Sequence, residues 1–152
     1  MKKIYNVLLI SCFALAVVAC KKDNGKNYGI VGRWELAQVS GAMVPPVNYL
    51  SGNGNILEFT SSTYKHYSNG QLIKSGNYSI EEDNTVEQNV CLVMDDGRYT
   101  HRIVFDTAQS KPKTFYEIRD GKLAFISGCY AVDAGHREEY RRISDIDGTG
   151  KN

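Results

Sequence analysis

The sequence has no surplus of charge. Its 152 residues carry 18 Lys plus Arg against 17 Asp plus Glu. Lys2 and Lys3 fall in an N-terminal stretch without acids, so from Cys20 onward positive and negative side chains nearly cancel. A chain so balanced offers no basic field for a nucleic-acid backbone, and nucleic acid is excluded as a partner class. Apolar runs are short as well. The longest, Val7 to Val18, is interrupted by Ser11 and Cys12 and is too short to cross about 30 Å of hydrocarbon as a mature helix. A polytopic membrane protein is excluded. Proline occurs three times and tryptophan once.

Reactive constellations are equally scarce. His66, His101 and His136 are far apart and show no ligand spacing, so no metal site is expected. No Cys-x-x-Cys pair is present, which argues against a redox role. No Gly-x-Ser-x-Gly elbow occurs, and no Ser or Cys has a His beside it in sequence. The Gly-x-Gly at 52–54 has neither a following helix nor the Lys of a phosphate loop. Asp145-Ile146-Asp147-Gly148 opens like a calcium loop but lacks the closing acid, and reads as part of a disordered tail over 144–152. The acidic runs Glu81-Glu82-Asp83 and Glu138-Glu139 read as solvated strand ends. No cofactor, no catalytic residue and no enzymatic activity are expected.

What the sequence does contain begins with an address. Residues 1–20 place two lysines before an apolar stretch that ends Val17-Val18-Ala19-Cys20. A charged start and a short apolar core are the parts of a secretory signal. The small and branched residues before Cys20 resemble the lipobox of bacterial lipoproteins. That resemblance implies a signal peptide over 1–19, lipidation of Cys20 and acylation of the new amino terminus, so that fatty acyl chains hold the protein at a membrane. Lys21 stands where an Asp would retain such a protein at the inner membrane, which implies the outer membrane. Lys21-Lys22-Asp23 leaves the periplasmic and surface faces both open. Residues 20–29 are polar and Gly/Asn-rich and read as a flexible tether, which the resemblance implies is lipidated at Cys20.

From residue 30 the pattern is alternation with turn punctuation. Ten Tyr, five Phe and 14 Gly favour β-structure, because aromatic rings fit a pleated surface and Gly serves tight turns. Asn69-Gly70, Asp96-Gly97 and Asp120-Gly121 are pairs of the kind that closes type I′ hairpins. Strands are expected over 31–39, 55–60, 63–68, 71–81, 86–95, 98–106, 114–119, 122–127 and 137–143. Tyr99, His101, Ile103 and Phe105 alternate onto one face. Pro45-Pro46 exclude a central strand from 40–55. That connection is long enough that it could carry a short helix or 3₁₀ turn and cover one mouth of the fold. The fold class is therefore all-β, an antiparallel meander of eight or nine strands over 30–143, closed into a barrel so that no edge stays exposed.

The series Gly32-Arg33-Trp34, Leu57-Glu58-Phe59-Thr60, Gly76-Asn77-Tyr78 and Tyr140-Arg141-Arg142-Ile143 resembles the lipocalin-like domains of bacterial lipoproteins, relatives of the calycin barrels. The resemblance implies that Trp34 sits at the closed end of the barrel beneath an Arg from the last strand, Arg142 or else Arg141. Such a barrel is either filled or able to hold one small ligand. The expected interior set is Leu57, Phe59, Tyr64, Tyr78, Tyr99, His101, Phe105, Tyr116 and Phe125. Tyr rings offer apolar area and a hydroxyl together, which suits a small hydrophobic or amphipathic ligand. The alternative is a filled barrel that serves as an envelope-assembly subunit with a protein partner. Cys91 and Cys129 remain once Cys12 and Cys20 are set aside, and are either a disulfide or two separate buried thiols.

Overall fold

The computed structural model describes residues 29–106 and 112–144. The expected signal peptide, Cys20, the tether up to residue 28 and the tail beyond 144 lie outside the described residues. Nine strands follow in chain order: β1 (Gly32–Gly41), β2 (Val47–Asn48), β3 (Ile56–Phe59), β4 (Thr63–Ser68), β5 (Gln71–Glu82), β6 (His101–Phe105), β7 (Thr114–Arg119), β8 (Lys122–Ser127) and β9 (His136–Ser144). Each pairs antiparallel with its neighbour from β3 to β9, and β1 closes the sheet by pairing with both β3 and β9. The result is a closed eight-stranded barrel, with β2 as an extra edge on β1 opposite Gln38 and Val39.

Two of the three turn pairs act as hairpin closures. Asn69 and Gly70 have φ of 50° and 79°, and Asp120 and Gly121 have 52° and 72°, so both central residues of each turn are left-handed, as type I′ requires. Asp96-Gly97 lies instead in a loop turn where the Arg98 N–H donates to the Asp95 carbonyl, and it joins no two strands.

The segment 83–100 departs most from expectation. Residues 86–95 contain no strand: Val86–Val90 form a short helix, α1, and the β6 strand starts only at His101. The physical reason lies on the barrel wall. Along β7 and β8, Tyr116, Leu123 and Phe125 point inward, while Phe115, Ala124 and Ile126 point outward and are equally buried. Something must cover that outer apolar face, and Val86 and Val90, one helical turn apart, do so. Tyr99 belongs to the same outer cluster, with φ of 52°, and is not an interior residue. A disulfide between Cys91 and Cys129 then fastens the end of α1 to the loop that follows β8.

The connection 42–55 holds no helix. It carries β2 and is pinned to the outside of β1. Glu35, only 4% exposed, accepts hydrogen bonds from the Gly52 N–H at 2.9 and 3.1 Å and lies 3.3 Å from the Arg141 guanidinium. Arg141 also donates to the carbonyls of Leu36 and Tyr49, and Asn53 donates to Leu36. Arg141 is therefore a fastener of this loop on the outer face.

At the closed end, Trp34 is fully buried and its indole N–H donates to the Ile30 carbonyl at 2.7 Å. The Arg142 guanidinium lies 4.3 Å from the indole centre and donates to the Gly29 carbonyl at 2.7 Å. The cation gains attraction from the ring face while its hydrogen bonds tie the entering chain across the barrel base. Phe59 and Tyr78 fill the layer above in an edge-to-face pair, and the Tyr78 hydroxyl donates to the Thr60 carbonyl.

Candidate functional site

The opposite end of the barrel is not filled. Phe105, Thr114, Ser127 and His136 are strand ends that an antiparallel meander brings to one rim, and all four line a cavity of about 290 Å³. Its apolar wall comes from Leu57, Tyr64, Ile103, Phe105 and Phe125. Tyr64 and Phe105 meet edge-to-face at 4.6 Å, which holds both rings in place.

A polar group stands against this wall. Glu138 accepts a hydrogen bond from the Tyr140 hydroxyl at 2.8 Å, and its other oxygen lies 3.1 Å from His136 Nε2. Burial works against the charge of Glu138, but the hydrogen bonds from His136 and Tyr140 and the adjoining imidazoles hold its carboxyl below the usual range. The bond to Glu138 raises His136. Burial, followed by the charge of Glu138, pushes the Tyr140 phenol well above its ordinary value. His66, on β4, lines the same space and is lowered by burial, so its neutral form is favoured. Lys74 lies over the Tyr64 ring at 5.8 Å and lines the same space. Glu138 was expected to be a solvated strand end. Its position at an inward register of β9, opposite Phe125, puts it in the cavity instead.

The cavity also reaches the barrel wall. Ile103 and Phe105 point inward from β6 while Arg102 and Val104 alternate outward, yet all four line the same space. That is possible only where the strand edge is open. β6 joins β7 solely at His101–Ile103 opposite Thr114–Tyr116, and beyond that register the two strands part between Val104–Phe105 and Pro112–Lys113. Arg102 and Lys113 flank this gap and converge on Asp83, at 3.5 and 2.8 Å. Burial opposes the Asp83 charge, but bonds from Lys113 and Thr85 bring its carboxyl down to about 2. Asp83, also expected to be solvated, is thus a structural anchor.

Of the nine interior residues expected from alternation, Leu57, Tyr64, Phe105 and Phe125 line the cavity. Phe59, Tyr78 and Tyr116 belong to the filled part of the core, and Tyr99 lies outside the barrel. His101 sits at the closed-end start of β6, with its ring 6.3 Å from Tyr116 and Nδ1 3.0 Å from the Thr100 hydroxyl. Sequence reading missed His66, His136, Glu138 and Tyr140. Alternation carried back from Tyr140 through Glu138 to His136 was the signal that could have found three of them.

Among the described residues, no group of three or more His, Cys, Asp or Glu side chains is arranged to hold a metal ion. No described helix is long and apolar enough to cross a membrane. Comparison with known protein families, curated proteins and solved structures finds nothing that matches this chain.

Proposed function

We propose that this chain is a lipid-anchored protein of the cell envelope, held at the outer membrane through Cys20, whose lipocalin-like barrel binds a small amphipathic ligand. One observation carries the binding reading: the cavity sets an apolar wall of Leu57, Ile103, Phe105 and Phe125 against the polar group of His66, His136, Glu138 and Tyr140. Its volume of about 290 Å³ is at the small end of ligand sites, which suits one short chain or ring with a hydrogen-bonding head. Binding without turnover is the simpler use of these groups. His136 Nε2 is engaged by the Glu138 carboxylate, not by a hydroxyl that could serve as a nucleophile.

Native mass spectrometry of the chain from residue 24 onward, purified without detergent, tests this. A bound mass lost on denaturation is expected. Ser127→Trp, which places an indole at the cavity rim, should lower its occupancy about tenfold or more while leaving the fold intact. Undiminished binding in that variant would move the ligand elsewhere. A chain that carries no ligand from any source would favour a protein partner over a small-molecule ligand. Anchorage has its own test. Cys20→Ala should shift the protein from the membrane fraction to the soluble one. Continued sedimentation with membranes would refute lipidation as the anchor.

A further inference from the structure

The two ends of the barrel differ in more than the cavity. Residues 40–55 contain no Asp, Glu, Lys or Arg, although charged residues make up 23% of the chain. The same loop exposes Met43 (78%), Val44, Val47 and Leu50 (87%). The β4–β5 hairpin, Tyr67 to Ile73, is likewise uncharged and exposes Leu72 and Ile73. Loop 128–135 has Asp133 as its sole charge and exposes Val132.

These segments adjoin around the mouth. The Gly70 N–H donates to the Gly54 carbonyl, and Gly41 packs against the Gly135 carbonyl. The closed end is more highly charged, although its 83–100 segment also exposes Leu92 and Val93. Its connections carry Asp83, Glu87, Asp95, Asp96 and Arg98 in one segment, and Arg119, Asp120 and Lys122 in another. Isolated exposed aliphatics are ordinary on any surface. Seven of the ten exposed large hydrophobics among the described residues, gathered at one end, are not.

We infer that the mouth of the barrel docks onto a lipid bilayer, with the 42–55 loop and the β4–β5 hairpin entering its interfacial layer. Fluid hydrocarbon adapts to separate loop tips around an opening without needing a matching shape. The loop is also held in place by Glu35, Arg141 and Asn53, so its apolar face is built into the fold and does not collapse onto the barrel. Absence of charge from these two segments fits, because a charged side chain is costly at that depth. The fourth connection at this end, 106–113, carries Asp106, Lys111 and Lys113 and is not among the segments that enter.

The tether length allows the orientation. The nine residues from Cys20 to Gly29 can span about 30 Å. β1, ten residues long and tilted as barrel strands are, rises only about 25 Å along the barrel axis. An anchor at Cys20 therefore reaches the bilayer with the mouth down. This last step rests on the anchorage proposed above; the apolar rim does not.

The test uses the full chain reconstituted in phosphatidylcholine vesicles, with and without brominated acyl chains. Leu50→Trp is the mouth reporter, Arg119→Trp the closed-end reporter, and the parent protein supplies the signal of Trp34. Brominated lipid should quench the Leu50→Trp emission by about half or more and leave the Arg119→Trp emission nearly unchanged, as a shallow interfacial contact requires. Adding Met43→Asp and Val44→Asp should abolish that quenching without releasing the protein from vesicles. Equal quenching at both reporters, or none at Leu50 in vesicle-bound protein, overturns the orientation and leaves anchorage standing. Protein that stays free of vesicles overturns both. Without vesicles, a Leu50→Trp emission that shifts blue with protein concentration would show a second copy of this chain covering the loop, and would also overturn the inference.

Discussion

Trp34→Ala should destabilise the barrel by about 3–5 kcal/mol, the range for deleting a large aromatic side chain from a packed site. Three losses combine. The indole is completely buried, so its removal leaves a cavity that eight hydrogen-bonded strands cannot close. Its N–H satisfies the Ile30 carbonyl, which would be left buried without that donor. The Arg142 guanidinium would lose the ring face it rests on. Urea unfolding followed by far-UV circular dichroism measures the change, since the substitution removes the natural fluorophore. Arg142→Ala should cost less, because its side chain faces solvent on one side and its removal leaves no internal void. A Trp34→Ala cost below about 1 kcal/mol would mean the closed end is not a stability centre.

The second large effect belongs to the disulfide. Replacing Cys91 and Cys129 together by Ser removes a cross-link between residues 38 apart in sequence, which the chain-entropy estimate values at roughly 4 kcal/mol. The loss should be unevenly distributed. α1 has only five residues and cannot persist alone, so its hold on Phe115 and Ile126 depends on Val86, Val90 and this bond. Amide exchange should therefore accelerate first in 86–99, while β1 and β9, which pair along nearly their whole length, stay protected. Uniform exchange through the whole barrel would show instead that the bond acts on global unfolding alone. Stability unchanged within about 0.5 kcal/mol would show that it contributes nothing.

Much of the fold was legible because hairpin proteins store their instructions locally. Asn69-Gly70 and Asp120-Gly121 determine two turns through the positive φ they tolerate, and the register on either side follows from the turn. The segment 86–95 was misread for an equally physical reason. Val86, Val90, Leu92 and Met94 alternate well enough for a strand, but Val86 and Val90 also stand one helical turn apart. Such a short apolar pattern supports both readings. The outward Phe115, Ala124 and Ile126 decided between them, since they needed cover and no further strand could supply it within a closed barrel.

The cavity divides along the same line. Leu57, Tyr64, Phe105 and Phe125 were foreseeable from two-residue periodicity, because that period determines which face a residue takes. How deep the filling reaches was not, because it depends on barrel stagger, and stagger is a property of all eight strands together. Phe59, Tyr78 and Tyr116 share the inward face but lie in the packed layers, whereas His66 and Glu138 lie at the open one. His136 and Glu138 were unremarkable as a polar strand end until closure of the barrel brought them to the same cavity as Tyr64 and Leu57.

By itself, then, the sequence determined the all-β class, the meander order and two tight turns, since turn chemistry and alternation act between residues close in the chain. Only the tertiary structure decided that one end is plugged and the other open, that a charge-free loop is held outward around the mouth, and that two histidines, a glutamate and a tyrosine meet over an apolar wall. Those features depend on where eight tilted strands bring residues separated by up to a hundred positions, and no local pattern carries that information.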